Sequence, residues 1–167
     1  MFATLIAALA VQAAPATPAA RAAPVCPAPT TVAAPFGAWR DAHPPAHGFV
    51  IGRAIDLSTM PVANIRLAVQ PSRPLSGSHV ATGSFDVITA GRYSVAVGGA
   101  TQPIKRVWLD IAGADNKPLT SVAHGHGQAC TGMTKVVEFD LKPGRYTLLA
   151  TGLTAATPVR ALIVPKR

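Results

Sequence analysis

Beyond residue 48, apolar residues alternate with polar ones: Ile65, Leu67 and Val69; Val107, Leu109 and Ile111; Val137, Phe139 and Leu141; Tyr146, Leu148 and Ala150; Val159, Ala161 and Ile163. A period of two sends successive side chains to opposite faces of an extended strand, so each of these segments has one face to bury. Turn formers separate them, at Pro71-Ser72, Ser76-Gly77, Gly98-Gly99, Asp115-Asn116 and Lys142-Pro143-Gly144. After position 40 no window of a dozen residues carries a helical period. Turn signals at intervals of about 8 to 14 residues predict an all-β domain over 48–167, an antiparallel β-sandwich of about eight strands, jelly-roll or Greek-key-like.

An internal repeat sharpens this expectation. Residues 85–99, FDVITAGRYSVAVGG, align with residues 139–152, FDLKPGRYTLLATG. Each copy reads as strand, tight turn, Gly-Arg-Tyr, strand. The pattern predicts two matched hairpins, with Gly91 or Gly144 supplying a positive φ and Tyr93 or Tyr146 opening the inward row of the return strand. Two such hairpins would supply two facing sheets.

The chain has 167 residues, 49% hydrophobic and 5% aromatic, enough for one domain with a core. Residues 1–13, MFATLIAALAVQA, read as a signal peptide cut after Ala13, or as late as Ala22. The apolar run is roughly half of the about 20 residues a membrane span needs, so no span is expected. Residues 14–47 form an Ala/Pro-rich leader, extended because recurrent prolines exclude a helix. The predicted location is periplasmic or secreted. An exported chain with two cysteines predicts a Cys26–Cys130 disulfide, which by closing a loop of about 100 residues is worth on the order of 4 to 5 kcal/mol.

Fifteen Lys and Arg against seven Asp and Glu give a net charge of +8. The basic residues are scattered, with only Lys105-Arg106 and Lys166-Arg167 adjacent, and no aromatics interleave with them as in a nucleic-acid reader. The expected partner is an anionic cell-envelope component or a partner protein, not nucleic acid.

The stretch SVAHGHGQACTG, residues 121–132, concentrates the remaining chemistry. On an extended segment His124 and His126 share a side, and paired imidazoles suit iron, copper or zinc. A third ligand would come from Glu138, or from Asp140, His43, His47, His79 or a reduced Cys130. The disulfide and a cysteine-containing metal site exclude one another. Glu138 and Asp140 also read as exposed ion-pairing residues beside Lys135 and Lys142. Trp108 falls on the face opposite Val107 and Leu109, flanked by Arg106 and Asp110. It is a candidate binding surface, the alternative being burial under the leader around Trp39. No Gly-x-Ser-x-Gly, phosphate loop or dinucleotide fingerprint is present.

The block SVAHGHGQACTGMTKVVEFDLKPGRYTLLATG, residues 121–152, with Cys26-Pro27 and Gly52-Arg53-Ala54, resembles small exported alphaproteobacterial proteins, typical of sphingomonads, that carry the name homogentisate 1,2-dioxygenase. That resemblance implies an iron-dependent dioxygenase with two histidine ligands and a glutamate; here Glu138 stands twelve residues after His126. The Pro-Gly-Arg-Tyr turn is also similar to pre-peptidase C-terminal type β-sandwich modules, which implies an accessory role. The residues themselves favour an exported, non-catalytic accessory or binding module of the bacterial cell envelope that needs no cofactor. The alternatives are a metal-dependent oxygenase and periplasmic copper or zinc binding.

Overall fold

The computed structural model describes residues 26, 31–44 and 48–166. The expected signal peptide and both of its cleavage positions lie outside these residues. Nine strands follow one another along the described chain: β1 (Ile55–Leu57), β2 (Thr59–Pro61), β3 (His79–Val87), β4 (Gly91–Gly98), β5 (Trp108–Ala112), β6 (Ala123–His126), β7 (Met133–Leu141), β8 (Gly144–Leu153) and β9 (Val159–Pro165). They form two antiparallel sheets, one of five strands in the order β1-β9-β4-β7-β6 and one of four in the order β2-β3-β8-β5. The architecture is the expected sandwich, with nine strands where about eight were expected; β1, β2 and β6 lie outside the alternating rows.

The alternating rows meet between the sheets. Val95 and Val97, Val137 and Phe139, Ile111, Leu148 and Ile163 are all buried in one cluster. The repeat accounts for the central pairing, though not as two hairpins. Within each copy the two strands lie in different sheets, so residues 88–90 and 142–143 are arches crossing from sheet to sheet. Each strand pairs with the other copy: β3 with β8, and β4 with β7. Phe85 lies opposite Tyr146 and Tyr93 opposite Phe139, while Asp86 faces Arg145 and Arg92 faces Asp140. Gly144 has φ 153° but Gly91 has no positive φ, so the turns need only one such glycine.

Both sheets are also apolar outside. Leu162, Val164, Ala96 and Met133 form a second cluster on the outer face of the five-stranded sheet, and the leader covers it with Val32 and Trp39. The packed domain therefore starts ahead of residue 48, and the leader carries a 3-10 turn, Gly37–Arg40, rather than being extended throughout. Arg160 holds it from below, through an ion pair to Asp56 at 2.7 Å and a hydrogen bond to the Trp39 carbonyl at 3.1 Å. Gln128 holds it at the edge, donating to the Thr31 carbonyl at 2.7 Å and accepting from the Ala33 N–H at 2.8 Å. The Cys26–Cys130 disulfide adds a covalent tie, with Cα atoms 5.4 Å apart.

The four-stranded sheet has a matching cover. Residues 62–69, expected to include a strand at Ile65, Leu67 and Val69, pair with no strand; they lie over Val80, Ala112 and Leu149. Their alternation reflects a half-buried strap.

Two predictions follow from these contacts. Removing the disulfide by Cys26→Ser with Cys130→Ser is expected to lower the unfolding free energy by about 2 to 4 kcal/mol with the β-sheet circular dichroism retained, as read by urea titration. Arg145 and Arg92 hold the Asp86 and Asp140 carboxyls below their ordinary 3.8, chiefly by hydrogen bonding. The unfolded chain then binds more protons in acid, so this stabilisation is complete above about pH 5 and is lost as the pH falls through the folded values. Asp86→Asn with Asp140→Asn is expected to flatten the loss of stability in acid, measured by urea midpoints at a series of acid pH values.

Candidate functional site

The edge strands β5 and β6 belong to opposite sheets, and residues 113–122 join them at the open side of the sandwich. There the segment 118–119 closes off the β5 edge, with the Leu119 N–H donating to the Ile111 carbonyl at 2.7 Å. A cleft of about 370 Å³ remains, lined among others by Arg73, Trp108, Asp110, His124 and Lys135.

Trp108 is a third exposed, at 36%. Its indole lies over Gly152 of β8, where φ is 81° and an added Cβ would stand 3.0 Å from Trp108 Cδ1. Only glycine provides both that backbone conformation and that clearance. Trp39 plays no part in covering the indole. It is fully buried on the outer face of the other sheet, with Nε1 donating to the Thr131 carbonyl at 2.8 Å.

Two cations occupy the indole surface. The Arg73 guanidinium carbon and Lys135 Nζ each lie 4.4 Å from the ring centroid. Asp110 brings Arg73 there: its buried carboxylate accepts from the Ser72 N–H at 3.2 Å and from the Ser72 hydroxyl at 2.5 Å, fixing the neighbouring residue. Lys135 arrives from β7, in register with His126 and on the same face as Val137 and Phe139. Burial, followed by the nearby Arg73, pushes the Lys135 ammonium below the usual lysine value, with Asp110 opposing. Among the described residues the ion pairs are Arg92–Asp140, Arg145–Asp86, Arg160–Asp56 and Lys166–Glu138, and neither cation of the cleft is in one.

Each cation gains about 0.5 to 2 kcal/mol from the ring, while two like charges are crowded together, the Lys135 ammonium partly out of water. The arrangement presents positive charge toward the opening and favours an anion entering it.

The other site candidates fall as follows. His124 and His126 sit on one face of β6, opposite Val137 and Lys135, and His124 lines the cleft. Glu138 pairs with Ala123 and points to the other face, where Lys166 Nζ meets its two oxygens at 2.6 and 2.8 Å. Asp140 is bound by Arg92, not by the neighbouring lysines. His79 contacts the Ser78 hydroxyl, His43 bridges Ile55 at the far edge of the larger sheet, and His47 is outside the described residues. Cys130 is in the disulfide and offers no thiolate. Among the described residues no three His, Cys, Asp or Glu side chains group as metal ligands.

Arg73 and Lys135 are functional candidates that the sequence reading did not single out. Lys135 carried a signal, since it extends the inward row of Val137, Phe139 and Leu141. Arg73 carried none, as only the Asp110–Ser72 contact places it. A larger cavity of about 470 Å³ lies between residues 99–104 and 153–158. Its one charged lining residue, Asp56, is committed to Arg160.

No protein-family model, curated protein or solved structure matches the chain.

If Lys135 is held for a ligand rather than for the fold, Lys135→Met relieves a partly desolvated charge crowded against Arg73. The variant is expected to unfold at the same or a higher urea midpoint than the wild type at neutral pH. A loss above about 1 kcal/mol, the scale of a structural hydrogen bond, would assign the lysine to stability instead.

Proposed function

We propose that the protein is an exported, non-catalytic binding module of the bacterial cell envelope, periplasmic or secreted, which engages an anionic envelope component through the Trp108 cleft. The observation that carries this reading is the pair Arg73 and Lys135, held over a partly exposed indole and in no ion pair among the described residues, with Asp110 the one carboxylate lining the cleft. Asp110 offsets one of the two charges without forming an ion pair with either cation, which leaves one positive charge for a ligand. The net charge of +8 draws polyanions toward the surface, and the cleft supplies the short-range contacts that hold one.

The disulfide supports an oxidising compartment. Among the described residues no helix is long and apolar enough to cross a membrane. The oxygenase alternative needs at least three ligands converging on one metal. Glu138 turns away from His124 and His126 and is neutralised by Lys166, which weighs against that set. Two imidazoles on one face of an exposed strand keep copper or zinc binding as a second reading, with the remaining ligands coming from outside the described chain.

Co-sedimentation with isolated envelope fragments over a salt series tests the proposal. Arg73→Ala with Lys135→Ala is expected to abolish the salt-resistant bound fraction. The control, Arg53→Ala with Lys105→Ala, removes the same charge elsewhere and is expected to retain it. Equal losses in the two would reduce the interaction to diffuse charge attraction.

A further inference from the structure

We infer that the anion taken by the cleft is a carboxylate carried on a sugar ring, so that the ligand is an acidic glycan of the uronic-acid type. This rests on the binding-module reading and specifies its ligand.

Charge balance is the first argument. Arg73 and Lys135 contribute two positive charges and Asp110 one negative charge to the same cleft. The remainder matches a single negative charge. A phosphate monoester, close to doubly charged at neutral pH, would meet the Asp110 carboxylate as well as the cations. A carboxylate takes the fork of Arg73 and the ammonium of Lys135 without that excess.

The rest of the lining suits a sugar ring. Ser72, Thr120 and Ser121 present hydroxyls, and Asp110 keeps acceptor capacity beyond its two bonds from Ser72. Such groups suit ring hydroxyls, while the exposed part of the indole and the edge of Leu119 suit sugar C–H surface. His124 adds a further polar group on the β6 side. A cleft of about 370 Å³ is at the lower end for small-ligand sites, and its place at the open side of the sandwich admits one unit of a longer chain.

An acidic peptide would carry a carboxylate too, and a peptide binds such folds by adding a strand to a sheet edge. At the end of β5 away from Trp108 that edge is occupied, because Pro118 bridges Ala112 and the Leu119 N–H donates to the Ile111 carbonyl. A peptide would have to add to the edge of β6 instead, away from the indole and its two cations, whereas the hydroxyl lining around Trp108 favours the glycan.

Tryptophan fluorescence reads the site directly, since Trp39 is fully buried and Trp108 is exposed. Galacturonate trimer, maltotriose, glucose 6-phosphate, acetate and triglutamate would each be titrated into the oxidised protein. The trimer is expected to change the emission saturably, while maltotriose and acetate at equal concentration do not. Arg73→Ala and Lys135→Gln, with unchanged melting temperatures, are each expected to weaken the trimer at least about tenfold, the scale of a lost charged hydrogen bond. Trp108→Phe is expected to silence the signal while keeping the fold.

Tighter binding of glucose 6-phosphate, or equal binding of triglutamate or acetate, would overturn the inference, as would no response to the trimer. If the trimer fails while the salt-resistant envelope fraction still depends on Arg73 and Lys135, only the glycan assignment falls. Loss of both removes the binding-module reading with it.

Discussion

Neither sheet of this sandwich can leave its outer face to water. In β9 every residue from Val159 to Val164 is buried, and in β4 the run from Tyr93 to Val97 is buried without interruption. Such strands carry apolar groups on both sides, and at about 25 cal/mol per Å² the outer rows demand a cover as much as the inner ones. The molecule therefore has four layers: leader, five-stranded sheet, four-stranded sheet and the 62–69 strap. The polar contacts at the margins anchor those covers. Arg160, Gln128 and the disulfide fasten the leader, while Asp110 and Ser72 fasten the end of the strap. The binding cleft is a by-product of the second fastening, since the residue after Ser72 is Arg73.

This explains which parts of the molecule were legible in the sequence. The alternating rows that became β5, β7, β8 and β9 were readable because period two reports a strand with a buried side. The same signal misled at Ile65, Leu67 and Val69, where a half-buried strap between Pro61 and Pro71 has the same alternation and no partner strand. The repeat was visible, but a hairpin and an arch bury the same alternate residues. Only the pairing of Asp86 with Arg145 and of Arg92 with Asp140 separates them, and that information is shared between the copies. The leader looked passive because its prolines exclude a helix, yet Trp39 within it is the largest fully buried side chain.

The site divides in the same way. Trp108 stood out in the sequence by its residue type and its outward register, and Cys26 and Cys130 by compartment. The histidine-glycine stretch was legible only as alternatives. In the structure its parts separate: Cys130 ties down the leader, while His124 lies on the inner side of β6 and lines the cleft. Glu138 was attractive as a ligand because it is the chain's only glutamate. One residue of register places it on the opposite face from the imidazoles.

The interlocked arches also govern how the chain reaches this state. The cross-copy pairs join residues 48 and 59 positions apart, and the disulfide joins residues 104 apart, so the central ladders can form only after most of the chain is available. Contacts this remote in sequence make folding slow compared with a meander of local hairpins, because each must first overcome the entropy of closing a long loop. A partial chain ending before β7 lacks both partners of β4 and leaves β3 with only the three-residue β2 beside it. The long ladders of the first copy, β3 with β8 and β4 with β7, thus wait for the second copy to arrive.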